Sequence, residues 1–226
     1  MITKKNVEES SIPFKNNSVE VVLDFEYWDT KTNESDQEIQ EKIQKYLYIL
    51  RLYKESNRNH LIGFYGFVPR GDYWRAIRGV GDPKYQEWIS ESNKYIAVSD
   101  AVDVFFPSMY TFYKDVEQWK VFAKAQIIEA RRLAKGKPVY AFIWPQYHVS
   151  NWLLKYKYLD KAYWKAELEL ASQYADGVVI WGGMRDDKGD NWRDDWDENK
   201  EWWIATKEFI IEKQNLKNMS VIQVAK

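Results

Sequence analysis

The chain has 226 residues, with 33 Lys and Arg against 34 Asp and Glu, a formal net charge of -1, two His and no Cys. The balanced charge argues against nucleic acid as the main ligand, because binding to phosphates needs a basic surface. The lack of Cys excludes a disulfide framework, a thiolate metal site and a cysteine nucleophile. The length suits one domain, so we predict a single β/α domain over residues 1–226, with a polar leader over residues 1–18.

The sequence has no targeting or membrane signal. There is no apolar run of about 18 residues, so no membrane-spanning helix is predicted. The first residues, MITKKNVEESS, lack the apolar stretch of a secretory signal. A secreted or cell-surface location is therefore expected only if upstream sequence precedes this chain, and the composition indicates no particular oligomeric state.

Strand-like and helix-like segments alternate five times along the chain. The predicted strands are Val19–Trp28, His60–Pro69, Val102–Tyr110, Pro138–Tyr147 and Gly177–Gly182. The predicted helices are Ser35–Ser56, Pro83–Ala97, Asp115–Lys135, Leu159–Ala175 and Asp197–Asn218. Repeated strand–helix units indicate a parallel sheet. The predicted fold class is α/β, a TIM-type (β/α) barrel, which is distorted or incomplete because about five units are visible where a closed barrel has eight.

Three helix ends carry local signals. Ser35 followed by Glu38 predicts a capping box at the first long helix. The pair Asp82-Pro83 places proline in the first turn after an N-cap residue. Gly136 predicts the end of the third long helix.

Asp24 and Glu26 are the sharpest candidates for chemistry. They end the first predicted strand, and residues two apart on a strand share a face. Both carboxyl groups would therefore point into the barrel, where like charges beside aromatic walls raise one pKa and favour a general acid. The alternative is structural, with one carboxylate capping a loop or pairing with Arg70 or Arg185.

Aromatic side chains follow the other predicted strands. The chain contains 12 Trp, 16 Tyr and 10 Phe, an excess that serves either a bulky core or a surface that stacks on flat ligands such as sugar rings. Tyr65, Tyr110 and Trp181 each end a strand, where α/β proteins bind ligands. Paired carboxyl groups beside aromatic faces favour carbohydrate chemistry over a purely structural role.

Other kinds of site find little support. The acidic run Asp186–Asp197 lacks the regular ligand spacing and terminal Glu of an EF-hand, so we predict a solvated loop and no metal. No Gly-rich phosphate loop and no G-x-S-x-G motif are present, which argues against nucleotide binding and serine hydrolysis. No cofactor is therefore expected, and the expected partner is a polysaccharide or oligosaccharide.

The ordered strand ends resemble the strand motifs of the hyaluronidase family of glycoside hydrolases, family 56. The similar segments span residues 19–187 in the same order as in the family: LDFEYW, GFYGF-x-P, FFPSMY, PVYAFIWPQY and DGVVIWGG. The resemblance implies a distorted (β/α) barrel that cleaves β-linkages next to N-acetylhexosamine. It also implies a retaining mechanism in which the substrate's own acetamido group is the nucleophile, one of the exceptions to the scheme with two catalytic carboxylates.

The resemblance also implies roles for individual residues. Glu26 resembles the general acid/base, Asp24 the carboxylate that orients the acetamido group, and Tyr110 the tyrosine that positions it. Trp181 resembles the tryptophan that forms the pocket wall. Together, the residues expected to bind substrate are Tyr65, Tyr73, Trp144, Trp181, Tyr147 and Trp28.

The sequence departs from the family in three ways. The first two strands of the family have no counterpart, the disulfides of the animal members are missing, and Trp144 stands where an arginine often occurs. The substrate is therefore expected to be an N-acetylhexosamine glycan, hyaluronan-like or other. Three alternatives stay open: an inactive glycan-binding module, the C-terminal part of a longer hydrolase, and a purely structural protein.

Overall fold

The computed structural model describes residues 3–11, 19–25, 34–182 and 196–223, with side chains of the last range to residue 215. Helices and short strands alternate through most of these residues. The helices are α1 Lys4–Ser11, α2 Asp36–Ser56, α3 Pro83–Asn93, α4 Ile96–Ala101, α5 Val116–Ala134, α6 Lys161–Tyr174 and α7 Glu201–Gln223, with a 3-10 helix at Ala76–Arg78. The strands are β1 Val21–Leu23, β2 Ile62–Phe64, β3 Tyr140–Ile143 and β4 Gly177–Ile180.

The strands lie side by side in a parallel row. β1 pairs with β2, and β3 pairs with β4, both in parallel. Residues 103–111, which we call the third-strand segment, connect the two pairs through parallel bridges such as Tyr65 to Phe106 and Ser108 to Phe142. No pairing joins β4 to β1 in the described part of the chain. These residues therefore form an open row, and a closed barrel stays a prediction.

The third-strand segment is less regular than the sequence predicts. Only isolated bridges connect it to its neighbours. Pro107 lies in its middle and has no N–H to donate, so the ladder of hydrogen bonds is interrupted there. The carbonyl oxygen of Pro107 still accepts from the Phe142 N–H at 3.0 Å, and that of Phe106 accepts from the Gly66 N–H at 2.9 Å. The segment thus keeps its predicted place between β2 and β3 without forming a continuous strand.

The predicted helix ends are confirmed. The capping box forms, because the Glu38 N–H donates to the Ser35 hydroxyl while the Glu38 carboxylate accepts from the Ser35 N–H. Asp82 caps α3, with Pro83 in its first turn. α5 stops at Ala134, and Gly136 follows in a left-handed conformation with φ of 94°. These local rules fix where the helices start and stop along the sheet.

Two stretches differ from the prediction. The leader contains α1, whose Val7 is fully buried and whose Ser11 hydroxyl accepts from the Asn57 amide at 2.8 Å, so part of it packs against α2. The helix predicted over Pro83–Ala97 is divided into α3 and α4, because Tyr95 leaves the helical conformation with ψ of 22°. Neither the helix in the leader nor the division between α3 and α4 is predicted from the sequence.

The two faces of the sheet bury different residues. Val21 and Leu23 of β1 belong to the main core beneath the helices, while Val22 packs on the other face. That inner face buries an aromatic cluster with Phe106, Tyr110, Phe142 and Trp144, which we call the inner cluster. The alternation of faces along each strand places aromatic rings where a barrel has its interior.

Three fully buried tryptophans explain part of the aromatic excess. Each indole lies on a helix, and its N–H donates to a specific acceptor: Trp88 to the Arg70 carbonyl at 2.8 Å and Trp119 to the Met109 carbonyl at 3.0 Å. Trp164 donates to the Thr206 hydroxyl at 2.8 Å. Two of these bonds hold the chain beyond β2, at Arg70, and within the third-strand segment, at Met109, so the indoles of α3 and α5 anchor this side of the sheet. Within the described residues, none of the helices has the length and apolar character needed to cross a membrane.

Candidate active site

The carboxyl ends of the inner strands bring three of the predicted site residues around one phenylalanine. The ring centroid of Phe142 lies 4.8 Å from that of Tyr65, 6.3 Å from that of Tyr110 and 6.4 Å from that of Trp181. Tyr110 in turn lies 5.4 Å from Trp144. We call this group, Tyr65, Tyr110, Phe142, Trp144 and Trp181, the aromatic mouth. Sequence reasoning had not singled out Phe142, although it shares the inward face with Trp144, two residues later.

Hydroxyl groups are placed within the aromatic mouth. The Tyr65 hydroxyl and the Ser108 hydroxyl are 3.0 Å apart and share a hydrogen bond. The Tyr65 and Tyr110 rings are 5.6 Å apart, with 35° between their planes. Rings with polar tips give a surface that is apolar on its faces and hydrogen-bonding at its edges.

Trp144 is almost fully buried in the inner cluster, with 5% of its surface exposed. Its indole N–H has no hydrogen-bond partner among the described residues. Its ring lies 6.1 Å from Tyr156, edge to face. Trp144 is therefore a buried member of the inner cluster, whereas Trp181 is 41% exposed.

Asp24 follows β1 directly. The Tyr65 N–H donates to the Leu23 carbonyl at 2.9 Å, so the parallel ladder continues to this point. Asp24 is two residues beyond the inward-facing Val22 and shares its face, while Phe25 packs on the opposite face against Phe64. The Asp24 carboxyl makes no hydrogen bond or ion pair with any described residue, Arg70 included, and Arg185 lies outside the described residues.

The surroundings of Asp24 disfavour the charged form of its carboxyl group. The residue is exposed, yet neighbouring protein removes enough water to raise the pKa of the Asp24 carboxyl above its usual range. Desolvation by the surrounding protein is the cause. Glu26 and Trp28, the other predicted site residues of this strand, lie outside the described residues.

A cleft of about 400 Å³ opens at the same end of the sheet. Its lining includes Phe25 after β1, Tyr65 and Tyr73 after β2, Ser108 of the third-strand segment and His148 after β3, so Tyr65 is shared between the cleft and the aromatic mouth. Tyr73 stacks on Phe112 with the ring centroids 4.9 Å apart and 22° between the planes. Burial raises the pKa of the Tyr73 phenol well above its usual range, so the group stays neutral.

His148 is the second residue that sequence reasoning left out of the site. Its ring centroid lies 5.8 Å from that of Tyr110 and 6.2 Å from that of Tyr73. Nδ1 accepts from the Ser150 backbone N–H at 3.3 Å and lies 2.7 Å from the Ser150 hydroxyl. Because a backbone N–H only donates, the proton of the neutral ring is on Nε2. Burial lowers the pKa of His148, which favours this neutral form.

Tyr147 points away from the mouth. Along β3 and its extension, Phe142 and Trp144 face inward, so Ile143 and Tyr147 face the helices. Tyr147 packs 6.0 Å from Tyr163 of α6 within the main core. Its position along the strand is thus sufficient to explain why Tyr147 faces the helices and not the aromatic mouth.

A buried carboxyl group lies beneath the site on the helix side. Glu167 of α6 is fully buried, and one of its oxygens accepts a short hydrogen bond from the Thr111 hydroxyl, while the other has no partner among the described residues. Burial raises the pKa of Glu167 well above its usual range. Thr111 follows Tyr110 directly, and its carbonyl accepts from the His148 N–H at 2.8 Å. Glu167 therefore supports the backbone that carries two residues of the site.

The described residues contain no group of three or more His, Cys, Asp or Glu side chains that could hold a metal ion. Most of the acidic run Asp186–Asp197 lies outside them.

Comparison with known proteins gives a likeness of fold. No family model matches the chain, and no curated protein matches it. Bee venom hyaluronidase matches with a TM-score of 0.56 and 17% identity, over 80% of this chain and 69% of that one. The same enzyme in complex with a hyaluronic acid tetramer gives a TM-score of 0.53 and 17% identity, over 95% of this chain and 59% of the other.

A second kind of enzyme has a similar structure. The endo-1,4-beta-D-mannanase from Thermotoga petrophila RKU-1 matches with a TM-score of 0.53 and 16% identity, over 92% of this chain and 64% of that chain. These proteins are TIM-barrel glycoside hydrolases. At such low identity the likeness concerns the fold. The chain therefore has a fold like that of glycoside hydrolases and spans roughly two thirds of the length of the hyaluronidase and the mannanase.

Proposed function

We propose that this chain is a retaining glycoside hydrolase that cleaves β-linked N-acetylhexosamine glycans by substrate-assisted catalysis. One arrangement carries the proposal: Asp24 directly follows β1, where strand alternation directs it to the same side as Val22, and it has no ion-pair partner among the described residues. It shares the carboxyl end of the sheet with the aromatic mouth. The fold shared with glycoside hydrolases supports the same conclusion, and one of the similar structures holds a hyaluronic acid tetramer.

The aromatic mouth suits a sugar. The apolar faces of a pyranose stack on aromatic rings, while its hydroxyl groups need polar partners. Tyr65 and Ser108 supply hydroxyl groups beside the rings. His148 offers a neutral Nε2–H at the edge of the cleft. A hydroxyl-rich ring therefore finds both kinds of contact in one place.

The proposed reaction uses the substrate's acetamido group as the nucleophile. Its carbonyl oxygen attacks the anomeric carbon, the bond to the leaving sugar breaks, and the proton of the Glu26 carboxyl group passes to the leaving oxygen. Water then attacks the anomeric carbon of the resulting cyclic intermediate, the bond from that carbon to the acetamido oxygen breaks, and a proton of the water passes to the Glu26 carboxylate. Two displacements at one carbon retain the configuration.

Asp24 orients the nucleophile in this scheme. Its carboxylate accepts from the acetamido N–H and stabilises the positive charge that develops on the attacking group. The raised pKa of Asp24 indicates a partly desolvated site, where such charge stabilisation is stronger than in water. Tyr110 holds the acetamido group from the opposite side, and Trp181 forms the wall of its pocket.

Matched substrates test the reaction. We expect cleavage of N-acetylated chitin oligomers, hyaluronan, chondroitin or a bacterial N-acetylhexosamine polymer, and no cleavage of de-N-acetylated chitosan or of β-mannan. Replacing Glu26 by Gln should lower turnover by about 10²–10⁴-fold, the usual effect of losing a general acid. Reducing-end release measures turnover, and thermal unfolding of the same variant checks the fold.

A thiazoline analogue of the cyclic intermediate gives a second readout. It should inhibit the wild-type protein if the acetamido group takes part in the reaction. Efficient cleavage of mannan or deacetylated chitosan would contradict acetamido participation, and full activity of the Glu26→Gln variant would remove Glu26 from its role.

A second function, glycan binding without hydrolysis, is favoured by one observation. The described residues pair β1 only with β2 and β4 only with β3, so the row of strands is open. A site with fewer walls than a closed barrel retains a stacking surface but excludes water less well. This function predicts measurable oligosaccharide binding with no reducing ends released during long incubation.

A further inference from the structure

A continuous row of rings runs from the aromatic mouth to the surface. Each ring contacts the next, and the six successive distances between ring centroids are 6.4, 6.3, 5.8, 6.2, 4.9 and 5.2 Å. We call this set the ring row, and its members in order are Trp181, Phe142, Tyr110, His148, Tyr73, Phe112 and Trp74. It begins at β4, crosses the ends of β3 and the third-strand segment, and finishes beyond β2.

The two ends of the ring row are exposed indoles. Trp181 is 41% exposed and Trp74 is 63% exposed, whereas the rings between them are buried or half-buried. Single exposed apolar side chains are common and carry no meaning on their own. Trp74 differs because it is joined to the cleft by direct ring contacts, through Phe112 and Tyr73.

Trp74 is also held firmly. The Asp72 carboxylate accepts from the Trp74 N–H at 2.9 Å and from the Arg75 N–H at 2.6 Å. The Arg75 guanidinium forms a bidentate pair with Glu91, at 2.8 and 2.7 Å, which anchors the turn to α3. The edge-to-face contact with Phe112 fixes the indole itself. An exposed ring with so little freedom loses little entropy when a ligand stacks on it.

We propose that the Trp74 indole is an outer subsite, which stacks on a sugar ring of the same glycan whose reacting unit lies in the aromatic mouth. The inference rests on the function proposed above, because it assigns the mouth to a sugar. His148 lies between the two positions, and its Nε2–H can donate to the hydroxyl groups of the intervening part of the chain. The site therefore recognises several sugar units.

The outer subsite predicts that binding affinity depends on the length of the oligosaccharide. A disaccharide seated in the mouth does not reach Trp74, whereas a longer oligosaccharide gains one further stacking contact. Replacing Trp74 by Ala should therefore weaken binding of a hexasaccharide about 10-fold, equal to about 1.4 kcal/mol, and change disaccharide binding less than about 2-fold. Replacing Trp74 by Phe keeps an aromatic face and should retain most of the affinity for the hexasaccharide.

Calorimetric titration of the full chain tests the idea. The probes are the di- and hexasaccharides of β-1,4-linked N-acetylglucosamine and of hyaluronan, each added to a Glu26→Gln background so that no probe is consumed. Tyr48→Ala is the matched control, because Tyr48 is an exposed aromatic residue in the middle of α2, outside the ring row. It should bind every probe as the parent does.

The outcomes separate the two proposals. Length-dependent weakening by Trp74→Ala supports the outer subsite, even if hydrolysis is never detected. Equal weakening at both lengths, or none at either, overturns the outer subsite and leaves the proposed hydrolysis to its own assay. Absence of binding by the parent protein at every length overturns both.

Discussion

At the scale of single residues, the site combines aromatic rings with carboxyl groups in contrasting surroundings. Asp24 is exposed and without a partner among the described residues, and its pKa is raised only by desolvation. Glu167 is fully buried, and its one described partner is the Thr111 hydroxyl. The first is the residue that we propose meets the ligand, whereas the second supports the backbone behind Tyr110 and His148.

The buried Glu167 predicts a pH-dependent stability. Its pKa is raised in the folded protein, so its contribution to stability is fully present below its ordinary pKa and is lost as the pH rises towards the folded value. Glu167→Gln mimics the protonated form. The melting temperature of the wild type should therefore fall relative to that of the variant as the pH rises above about 4.5.

The size of this effect follows from desolvation. Leaving a buried acceptor unpaired costs about 1–3 kcal/mol, and more when the group is charged, and each kcal/mol shifts the melting temperature by about 2–4 °C in a chain of this length. Thr111→Val removes the only described partner of Glu167 and should steepen the pH dependence. Parallel melting curves for wild type and Glu167→Gln from pH 4 to 8 would contradict the assignment.

At the scale of elements, α2 begins at Asp36, ten residues after Glu26 in the sequence. Its capping box joins Ser35 and Glu38, and backbone and side-chain hydrogen bonds with Ser35 lower the pKa of the Glu38 carboxyl. Glu34, one residue earlier, pairs with Lys42 and accepts from the Tyr95 hydroxyl at 2.9 Å. The start of α2 is therefore fixed from both sides.

Removing this cap has a predictable cost. Ser35→Ala loses the hydroxyl acceptor for the Glu38 N–H and should lower the free energy of unfolding by about 0.5–2 kcal/mol. Ser35→Thr keeps the acceptor and serves as the control. Urea denaturation followed by far-ultraviolet circular dichroism measures the difference, and equal midpoints for all three proteins would show that the cap contributes nothing.

The elements that the sequence predicts well are those with strong local signals. α2, α3 and α5 have side-chain caps at their starts, and β1 and β4 are short apolar runs. α1 escapes prediction because its residues are mostly polar and only its packing against α2 reveals its role. The third-strand segment loses regularity at Pro107, which has no N–H. The loss depends on which neighbouring strand would accept a hydrogen bond at that position, and the sequence does not show this.

The sequence predicts the site residues that lie on strands, because side chains alternate between the two faces of a strand. Tyr65, Tyr110, Trp144 and Trp181 converge because parallel strands end at one edge. Tyr147 has the wrong parity relative to Trp144, which the sequence alone reveals when alternation is applied strictly. His148 and Trp74 lie in loops, where no periodic rule indicates direction, so only the folded structure shows their contacts.

At the scale of the whole molecule, the row of strands depends on close backbone contact. A Cβ atom added at Gly63 of β2 would lie 2.1 Å from the Val104 carbonyl oxygen. The neighbour is backbone, so it cannot move aside without displacing the third-strand segment. Glycine at this position lets β2 and the third-strand segment approach each other.

Gly63→Ala should therefore destabilise the protein by at least the usual cost of overpacking, about 1–3 kcal/mol. The Gly81→Ala variant is the matched control, because nothing lies within 4 Å of the added atom. It should be neutral or slightly stabilising, since alanine restricts the unfolded chain. Thermal unfolding of both variants measures the effect, and equal melting temperatures would show that the two chain segments have room to separate.

The ring row has an optical consequence. Near-ultraviolet circular dichroism requires aromatic groups in fixed, asymmetric surroundings, and it disappears when tertiary packing loosens while helices persist. Seven neighbouring rings, two of them indoles open to solvent, concentrate that asymmetry at one end of the sheet. The ring row therefore contributes to a spectrum that reports, without a label or an identified substrate, whether the tertiary packing of the protein has formed.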